Sequence, residues 1–527
     1  MLLLTCAIRA SRFNKMETPG LVQHFLEISA DHLPDKIALV CSENRLTYAQ
    51  IEEKANRLAN GLKALGVRRG DRVAIFLPNS AELVIGIFAI LKAGGVFVVL
   101  NQTTKADKLV YIMNNCQATA LVTTANQSQL TERLFTECPS LKFMLIAGLV
   151  NPRESSRPVF LLQHILDENN ATRPEAINID LDLACLIYTS GSTGEPKGVM
   201  SDHGNVIFAV NSITSYIGNV EDDVVINVLP LAFDYGLYQL LMVFSFGGRL
   251  ILEKGFTYPA EILNSIEREN VTGFPGVPTV YSMLVNMDLS GYNLQSLRYM
   301  TNTAAALPPS HIKKIRDTFP NVTLFSMYGL TETKRTLYLP PSQLNKRPDS
   351  VGIAIPGTEA WIEDEDGNRL AAGQVGELVV RGRHVMRGYW GDPELSALRF
   401  RPGKIPGERL CYTGDLFRMD EEGYFYFVSR KDDIIKSRGE KVAPKEVENI
   451  IYKLDGVQEA AVIGVPDPVL GQAIKVFIVV KNSSLTENDV LRHCRSHLED
   501  FMIPKYIEFA DELPKTSSGK IKKTDLR

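Results

Sequence analysis

Between residues 46 and 99 the chain alternates amphipathic helix with short, wholly apolar strand, and few folds accept that alternation. Thr47 stands where a helix N-cap hydroxyl is needed, ahead of Ile51, Ala55, Leu58, Leu62 and Leu65 at helical spacing. The turn Gly66-Val67-Arg68-Arg69-Gly70-Asp71 leads into an apolar strand over 73–77, a second helix over 81–93 and a strand over 96–100. Strands without a polar face must be covered on both sides, as happens when helices connect parallel neighbours. Similar apolar runs recur at 118–124, 224–228, 249–252, 297–301 and 323–327. The expected fold class is therefore α/β, with a large N-terminal domain of doubly covered, mainly parallel sheets.

Beyond residue 359 the texture changes to short strands between glycine turns, at 361–363, 376–381 and 423–428, which predicts a small β-rich subdomain. The polar run Ser429-Arg430-Lys431-Asp432-Asp433 reads as a linker. After it, the runs at 446–454, 459–465, 475–480 and 487–498 read as an α+β module of ordinary small-domain size. The expected organisation is an N-terminal extension over 1–20, where Met16 is an alternative start, a large domain over 21–430 and a small C-terminal domain over 431–527.

Composition narrows the function classes. Among 527 residues, 57 are Lys or Arg and 61 are Asp or Glu, a near balance that argues against a polyanion or nucleic-acid binder. The longest apolar stretch, 83–100, is broken by Lys92, Gly94 and Gly95, so it predicts buried core and no membrane span. The apolar start, 1–5, is too short for a signal-peptide core before Arg9 and Arg12. Seven cysteines without a CxxC pair fit cytoplasmic thiols and argue against a zinc site.

The sharpest local feature is Tyr188-Thr189-Ser190-Gly191-Ser192-Thr193-Gly194-Glu195-Pro196-Lys197-Gly198, directly after an apolar run. Glycines let backbone N–H groups close on an anion, hydroxyls add donors and a lysine neutralises charge, which together make a phosphate cradle. A Walker loop is excluded, because no Gly-Lys-Ser/Thr follows at its spacing. Further along lie Tyr328-Gly329-Leu330-Thr331-Glu332-Thr333, Tyr412-Thr413-Gly414-Asp415 and Leu513-Pro514-Lys515-Thr516-Ser517-Ser518-Gly519-Lys520.

In this order and over 46–520, these motifs resemble the adenylate-forming (AMP-binding) superfamily of acyl-CoA synthetases, luciferases and adenylation domains of nonribosomal peptide synthesis. The resemblance implies an ATP-dependent, AMP-forming acid–thiol ligase that makes an acyl-adenylate and passes the acyl group to a phosphopantetheine thiol. By resemblance, Thr189, Ser190, Gly191, Ser192, Thr193, Gly194 and Lys197 hold phosphates, with Lys197 also catalytic. Thr303, Ala304 and Ala305 border adenine, Tyr328 stacks on it, Thr331 contacts the α-phosphate and Glu332 holds Mg²⁺. Asp415 accepts from the ribose hydroxyls, Arg430 contacts the nucleotide and Lys520 is the catalytic lysine, with Lys515, Lys522 and Lys523 as solvated neighbours.

The same resemblance makes the C-terminal domain mobile about a hinge at Asp432, bringing the Gly439 loop to the active site for the second step. Gly376-Glu377-Leu378 and Met386-Arg387-Gly388-Tyr389 match motifs read as structural. The chain ends soon after Lys520, so the acceptor is expected to be CoA or a separate carrier protein. Lys436, Arg438, Lys441 and Lys445 would be the basic surface for an acidic carrier.

The resemblance implies an acid pocket that involves Asp234, Tyr235, Tyr238, Met300, Asn302, Met327, Arg335 and Thr336. The pair Phe233-Asp234 occurs in amino-acid-activating relatives, where the carboxylate meets the substrate's α-ammonium, and a buried aspartate needs such a partner. That favours a proline-sized amino or imino acid loaded onto a carrier protein. If Lys334 or Arg335 neutralises Asp234 instead, a fatty-acyl or other acyl-CoA ligase results. A non-catalytic adenylate-binding protein is the remaining alternative, and the joint presence of Lys197, Glu332, Asp415, Arg430 and Lys520 argues against it.

Overall fold

The structure is a computed structural model that describes residues 19–124, 128–148, 155–190, 195–303, 307, 309–437, 440–467, 470–481, 485–516 and 519–526. The chain forms two compact units, Met1–Lys254 with Met386–Pro393, and Gly255–Val385 with Glu394–Arg527.

In the first unit the strands Val159–Leu161, Phe143–Ala147, Ala120–Thr124, Arg72–Phe76, Val96–Val99 and Leu183–Ser190 lie side by side in parallel. Pro196–Asp202 closes that sheet as an antiparallel edge. A second parallel set, Val224–Asn227, Arg249–Leu252 and Ile37–Cys41, carries the antiparallel Asn44–Thr47. The helix Tyr48–Ala64 starts where the sequence predicts: the Thr47 hydroxyl accepts from Gln50 N–H while the Gln50 side chain accepts from Thr47 N–H. Such reciprocal caps contribute about 1 kcal/mol. The helix Ala81–Lys92 is buried on nearly all sides, as its uninterrupted apolar face requires. Its one buried cation, Lys92, is held by Glu27 at 2.5 Å and Glu52 at 2.9 Å.

The second unit begins with the parallel strands Gly273–Gly276, Tyr299–Asn302 and Thr323–Tyr328, followed by antiparallel Leu337–Leu339 and Ile353–Ala354. Five antiparallel strands follow: Glu359–Glu363, Val375–Arg381, Phe400–Pro402, Arg409–Met419 and Phe425–Arg430. The small C-terminal fold is built on the long hairpin Val457–Asp467 and Gly471–Val480, with Ile435–Ser437, Glu440–Val442 and Tyr506–Phe509 beside it. Val447, Ile451, Val490 and Cys494 bring the helices Pro444–Ile451 and Glu487–His497 onto one face of that sheet. The expected mixed α/β class, with a large N-terminal and a small C-terminal domain, is what the chain adopts. Strand positions inferred from apolar runs differ by a residue or two: the strand expected at 297–301 is Tyr299–Asn302.

Candidate active site

In the first unit the hydroxyl-rich loop joins two antiparallel strands, so no helix N-terminus follows it. Thr189 and Lys197 face each other across the hairpin, and residues 191–194 between them, which include Gly191, Ser192, Thr193 and Gly194, lie outside the described residues, as does the Ser190 side chain. Gly198 packs so closely on Tyr188 that a Cβ there would lie 3.0 Å from the ring. The Met386-Arg387-Gly388-Tyr389 segment is the hairpin's outer neighbour: Met200 N–H donates to Gly388 C=O, Arg387 N–H to Met200 C=O and Trp390 N–H to Gly198 C=O. Tyr389 thereby sits beneath Lys197, whose ammonium is 6.0 Å from the ring centroid.

The Leu229–Gly236 stretch, also in the first unit, is held by a residue that sequence reading missed. Buried Asn79 donates to the carbonyls of Leu229 at 3.0 Å and Glu253 at 2.9 Å, and accepts from Leu231 N–H at 3.0 Å. Asp234 then opens the helix Asp234–Ser245 and is only half-buried. A carboxylate in a helix's first turn is stabilised by the N-terminal amides and macrodipole, so Asp234 has a local reason to be charged without a substrate ammonium. Tyr235 and Tyr238 are both buried.

In the second unit the segments around Tyr328, Asp415 and Arg430 converge. The strands Val375–Arg381 and Arg409–Met419 lose register between Glu377 and Val379, where Thr413, Gly414 and Asp415 stand opposite the single Leu378 as a bulge. The Thr413 hydroxyl donates to Leu378 C=O at 2.8 Å, Gly414 takes φ +69°, and Arg399 donates to Tyr412 C=O at 3.1 Å. Asp415, 4% exposed, accepts from the Tyr328 hydroxyl at 2.6 Å and faces the guanidinium of Arg430, its cross-strand neighbour, at 3.4 Å. Burial raises the Asp415 pKa above the ordinary carboxylate value. Arg430, the Tyr328 hydroxyl, Arg399 and Lys520 act in the opposite sense.

Tyr328 ends its strand and packs edge-on against Phe417, with ring centroids 4.9 Å apart. The loop after it is tight: a Cβ at Gly329 would collide with Lys334 C=O, Lys334 sits at φ +58°, and Thr336 N–H donates to Tyr328 C=O at 2.9 Å. Thr331 and Glu332 stand half-exposed on this loop, while Lys334, Arg335 and Thr336 are buried. After burial, Glu332 is the next cause of the raised Cys411 thiol pKa, which puts its charge beside the strand that carries Asp415. Met300, Asn302, Thr303 and Met327 are buried at the ends of their strands; Ala304 and Ala305 lie outside the described residues. The Tyr281 hydroxyl, unforeseen from sequence, ties two of those strands by donating to Phe274 C=O or Thr301 C=O, 2.9 and 2.8 Å away.

Lys520 is exposed near the tip of a tight turn in which Thr516 N–H donates to Lys520 C=O and Gly519 takes φ +80°. A Cβ at Gly519 would lie 3.4 Å from Thr279 Oγ1, so this turn rests at the start of the helix Pro278–Leu284. The neighbouring lysines are more than solvated: Lys515 pairs with Glu459, Lys522 with Asp525 and Lys523 with Glu448. Asp432 is exposed in the short 3-10 turn Lys431–Asp433. Gly439 and Arg438 lie outside the described residues, as do the side chains of Lys436 and Lys441. Lys445, the remaining member of the supposed basic surface, is half-buried with its ammonium 5.9 Å from the Tyr452 ring centroid.

Two family models match this chain: AMP-binding enzyme over residues 26–390, and AMP-binding enzyme C-terminal domain over residues 446–520. The chain belongs to the AMP-binding enzyme family. It is 33% identical to a long-chain-fatty-acid–CoA ligase of Bacillus subtilis (strain 168), over 95% of this chain and 93% of the relative. It is 34% identical to a feruloyl-CoA synthase of Amycolatopsis sp, over 92% and 93% respectively. Among solved structures, an anthranilate CoA ligase in complex with anthranoyl-AMP matches with a TM-score of 0.89 and 29% identity over 97% of both chains. An AMP-binding family member of this kind is an AMP-forming acid–thiol ligase, and these relatives lend no support to proline loading onto a carrier protein. Among the described residues no helix is long and apolar enough to cross a membrane, and no cluster of three or more His, Cys, Asp or Glu could hold a metal ion.

Proposed function

We propose that this protein is an acid–CoA ligase acting on an apolar acid, fatty-acyl or aryl, through an acyl-adenylate. The observation that carries the reading is the buried Asp415 carboxylate, presented on a bulge between Tyr328 and Arg430 and within reach of the Lys520 charge. A carboxylate so placed accepts two vicinal hydroxyls, and the surrounding cations suit a polyanion. The relatives' named substrates, a long-chain fatty acid, ferulate and anthranilate, support a fatty or aryl acid over an α-amino or imino acid such as proline. The place of Asp234 in a helix first turn gives its charge local stabilisation, which weakens the physical argument for a substrate ammonium.

In the first half-reaction a carboxylate oxygen of the acid attacks the α-phosphorus of ATP and pyrophosphate leaves. Lys520 offsets charge that develops at the α-phosphate and carboxylate; Lys197 and the hydroxyls of its loop serve the phosphates. Glu332 is a hard oxygen ligand at a half-exposed loop position, which fits Mg²⁺, an ion that takes one or two carboxylates and completes its shell with phosphates and water. When bound, the ion neutralises phosphate charge. In the second half-reaction the thiol sulfur of CoA attacks the adenylate carbonyl, AMP leaves and the thiol proton passes to solvent. Asp432 in its exposed turn serves as the hinge between the steps. Asp432→Pro then keeps ATP–pyrophosphate exchange and slows thioester formation; equal loss of both steps would remove the hinge.

ATP–pyrophosphate exchange and CoA-thioester formation, run over fatty, aryl and amino acids including proline, test the assignment. Exchange and thioester with fatty or aryl acids are expected. Exchange confined to amino acids, with no free CoA thioester formed, would overturn it.

A further inference from the structure

The Gly376-Glu377-Leu378 motif, which the sequence offers as structural, places one carboxylate where the ribose turn and the linker meet. Glu377 is largely buried, with 12% of its side chain exposed. Its Oε1 accepts from Gly414 N–H at 2.8 Å, and its Oε2 accepts from Lys431 Nζ at 3.2 Å. Gly414 immediately precedes Asp415, and Lys431 immediately follows Arg430. One carboxylate thus ties together the two backbone segments that carry the Asp415–Arg430 pair.

The bulge makes such a tie necessary. Between Glu377 and Val379 the ladder is interrupted, so Gly414 N–H has lost its strand partner and would be an unsatisfied donor in a half-buried site. Glu377 replaces the missing carbonyl with a charged acceptor, a stronger one than a neutral oxygen. At φ +69° Gly414 has wide backbone freedom, and without this bond the turn can rotate and carry the Asp415 carboxylate away from Tyr328.

Resting on the reading of Asp415 as the ribose acceptor, we propose that Glu377 is a positioning residue. It fixes the Thr413-Gly414-Asp415 turn so that Asp415 can accept from the ribose hydroxyls, and it anchors Lys431 at the start of the linker. Glu377 touches no substrate; it acts on the ribose site through Gly414 N–H.

The test is calorimetric titration of the full-length protein with AMP and with 2′,3′-dideoxy-AMP, which lacks both hydroxyls and so separates ribose recognition from overall integrity. Wild type is expected to bind AMP at least tenfold more tightly than the dideoxy analogue. Glu377→Ala should weaken AMP about tenfold while leaving 2′,3′-dideoxy-AMP within about twofold, so that discrimination collapses. Glu377→Gln keeps an oxygen acceptor for Gly414 N–H and should restore most of the discrimination. Lys431→Met removes only the ion pair and should leave AMP affinity within about threefold.

If Glu377→Ala weakens both nucleotides equally and keeps the wild-type ratio, Glu377 has a general structural role and the proposal fails while the ribose reading survives. If wild type itself does not distinguish the two nucleotides, the ribose reading fails and takes the proposal with it. If Glu377→Gln behaves as Glu377→Ala although it unfolds at the wild-type urea concentration, the oxygen at Gly414 N–H is not what positions the turn.

Discussion

Two aspartates, Asp234 in the first unit and Asp415 in the second, illustrate how differently one side chain can be used within a chain. Each follows an aromatic residue, Phe233 or Tyr412, within three positions, and both match motifs that suggest a ligand for the carboxylate. Asp234 opens a twelve-residue helix and stays half-buried, in a setting that itself stabilises a negative charge. Asp415 is 4% exposed, stands in the bulge of a strand ladder and has its pKa raised by burial. A carboxylate kept in an unfavourable environment by its surroundings is a better functional candidate than one in a favourable local niche.

The largest effect that sharpens this contrast is expected at Lys520, whose charge reaches Asp415. Lys520→Ala should reduce ATP–pyrophosphate exchange by roughly 10²–10³-fold, the scale of removing a group that stabilises transition-state charge. Conversion of a supplied acyl-adenylate into thioester should be largely kept. Parallel loss of both steps would mean that Lys520 supports the fold and not the first chemistry.

Next comes the direct comparison of the aspartates. Asp415→Ala should raise KM for ATP by about tenfold to a hundredfold, because it removes a charged acceptor and leaves Tyr328 and Arg430 without their partner. Asp234→Ala should leave exchange with fatty or aryl acids within about threefold. A large loss at Asp234 with an amino acid as substrate would break the contrast and restore the ammonium reading.

A third effect concerns pH. Because burial holds the Asp415 pKa above the ordinary 3.8, the charged form that the proposed reading assigns to the ribose hydroxyls is lost earlier on acidification than for an exposed aspartate. AMP affinity should therefore fall as pH drops towards the folded-state pKa. Arg430→Met, which removes a cation that lowers that pKa, should move the fall to higher pH in calorimetric titrations. Folding follows the opposite sense at this residue: the stability gained by a neutral Asp415 is present below pH 3.8 and is lost as pH rises through the folded value. An unchanged affinity profile in Arg430→Met would detach Arg430 from the site.

The smallest effect is one of stability. Asp234→Asn removes a negative charge from a helix first turn and should cost about 0.3–1 kcal/mol, read as a lower urea midpoint. No measurable change would mean that Asp234 is not held by its helix, and would reopen the question of what holds it.

Much of the architecture was legible because hydrophobic periodicity is a local signal. The Thr47 cap, the buried helix Ala81–Lys92 and the sequence of apolar strands all rest on contacts that the residue pattern itself demands. Several site features depend on pairings that no local pattern encodes. The hydroxyl-rich loop turned out to join two antiparallel strands, since nothing after Lys197 distinguishes an edge strand from a helix start until Pro196–Asp202 finds Leu183–Ser190. Glu377 reads along the chain only as part of a structural motif, because its meaning lies in the partner strand's bulge. Asn79 and Tyr281 act across 150 and 20 residues of chain, respectively, and carry no motif at all.

By itself the sequence determined the α/β class, the ordered nucleotide motifs and hence the reaction type, because each is written in residues close together along the chain. Only the tertiary structure decided what surrounds each charge. It placed Asp415 against Tyr328 and Arg430, paired Lys515 and Lys523 with carboxylates, and put Asp234 in a helix first turn. The energy of a charge depends on burial and on partners distant in sequence, and these exist only once the strands have paired.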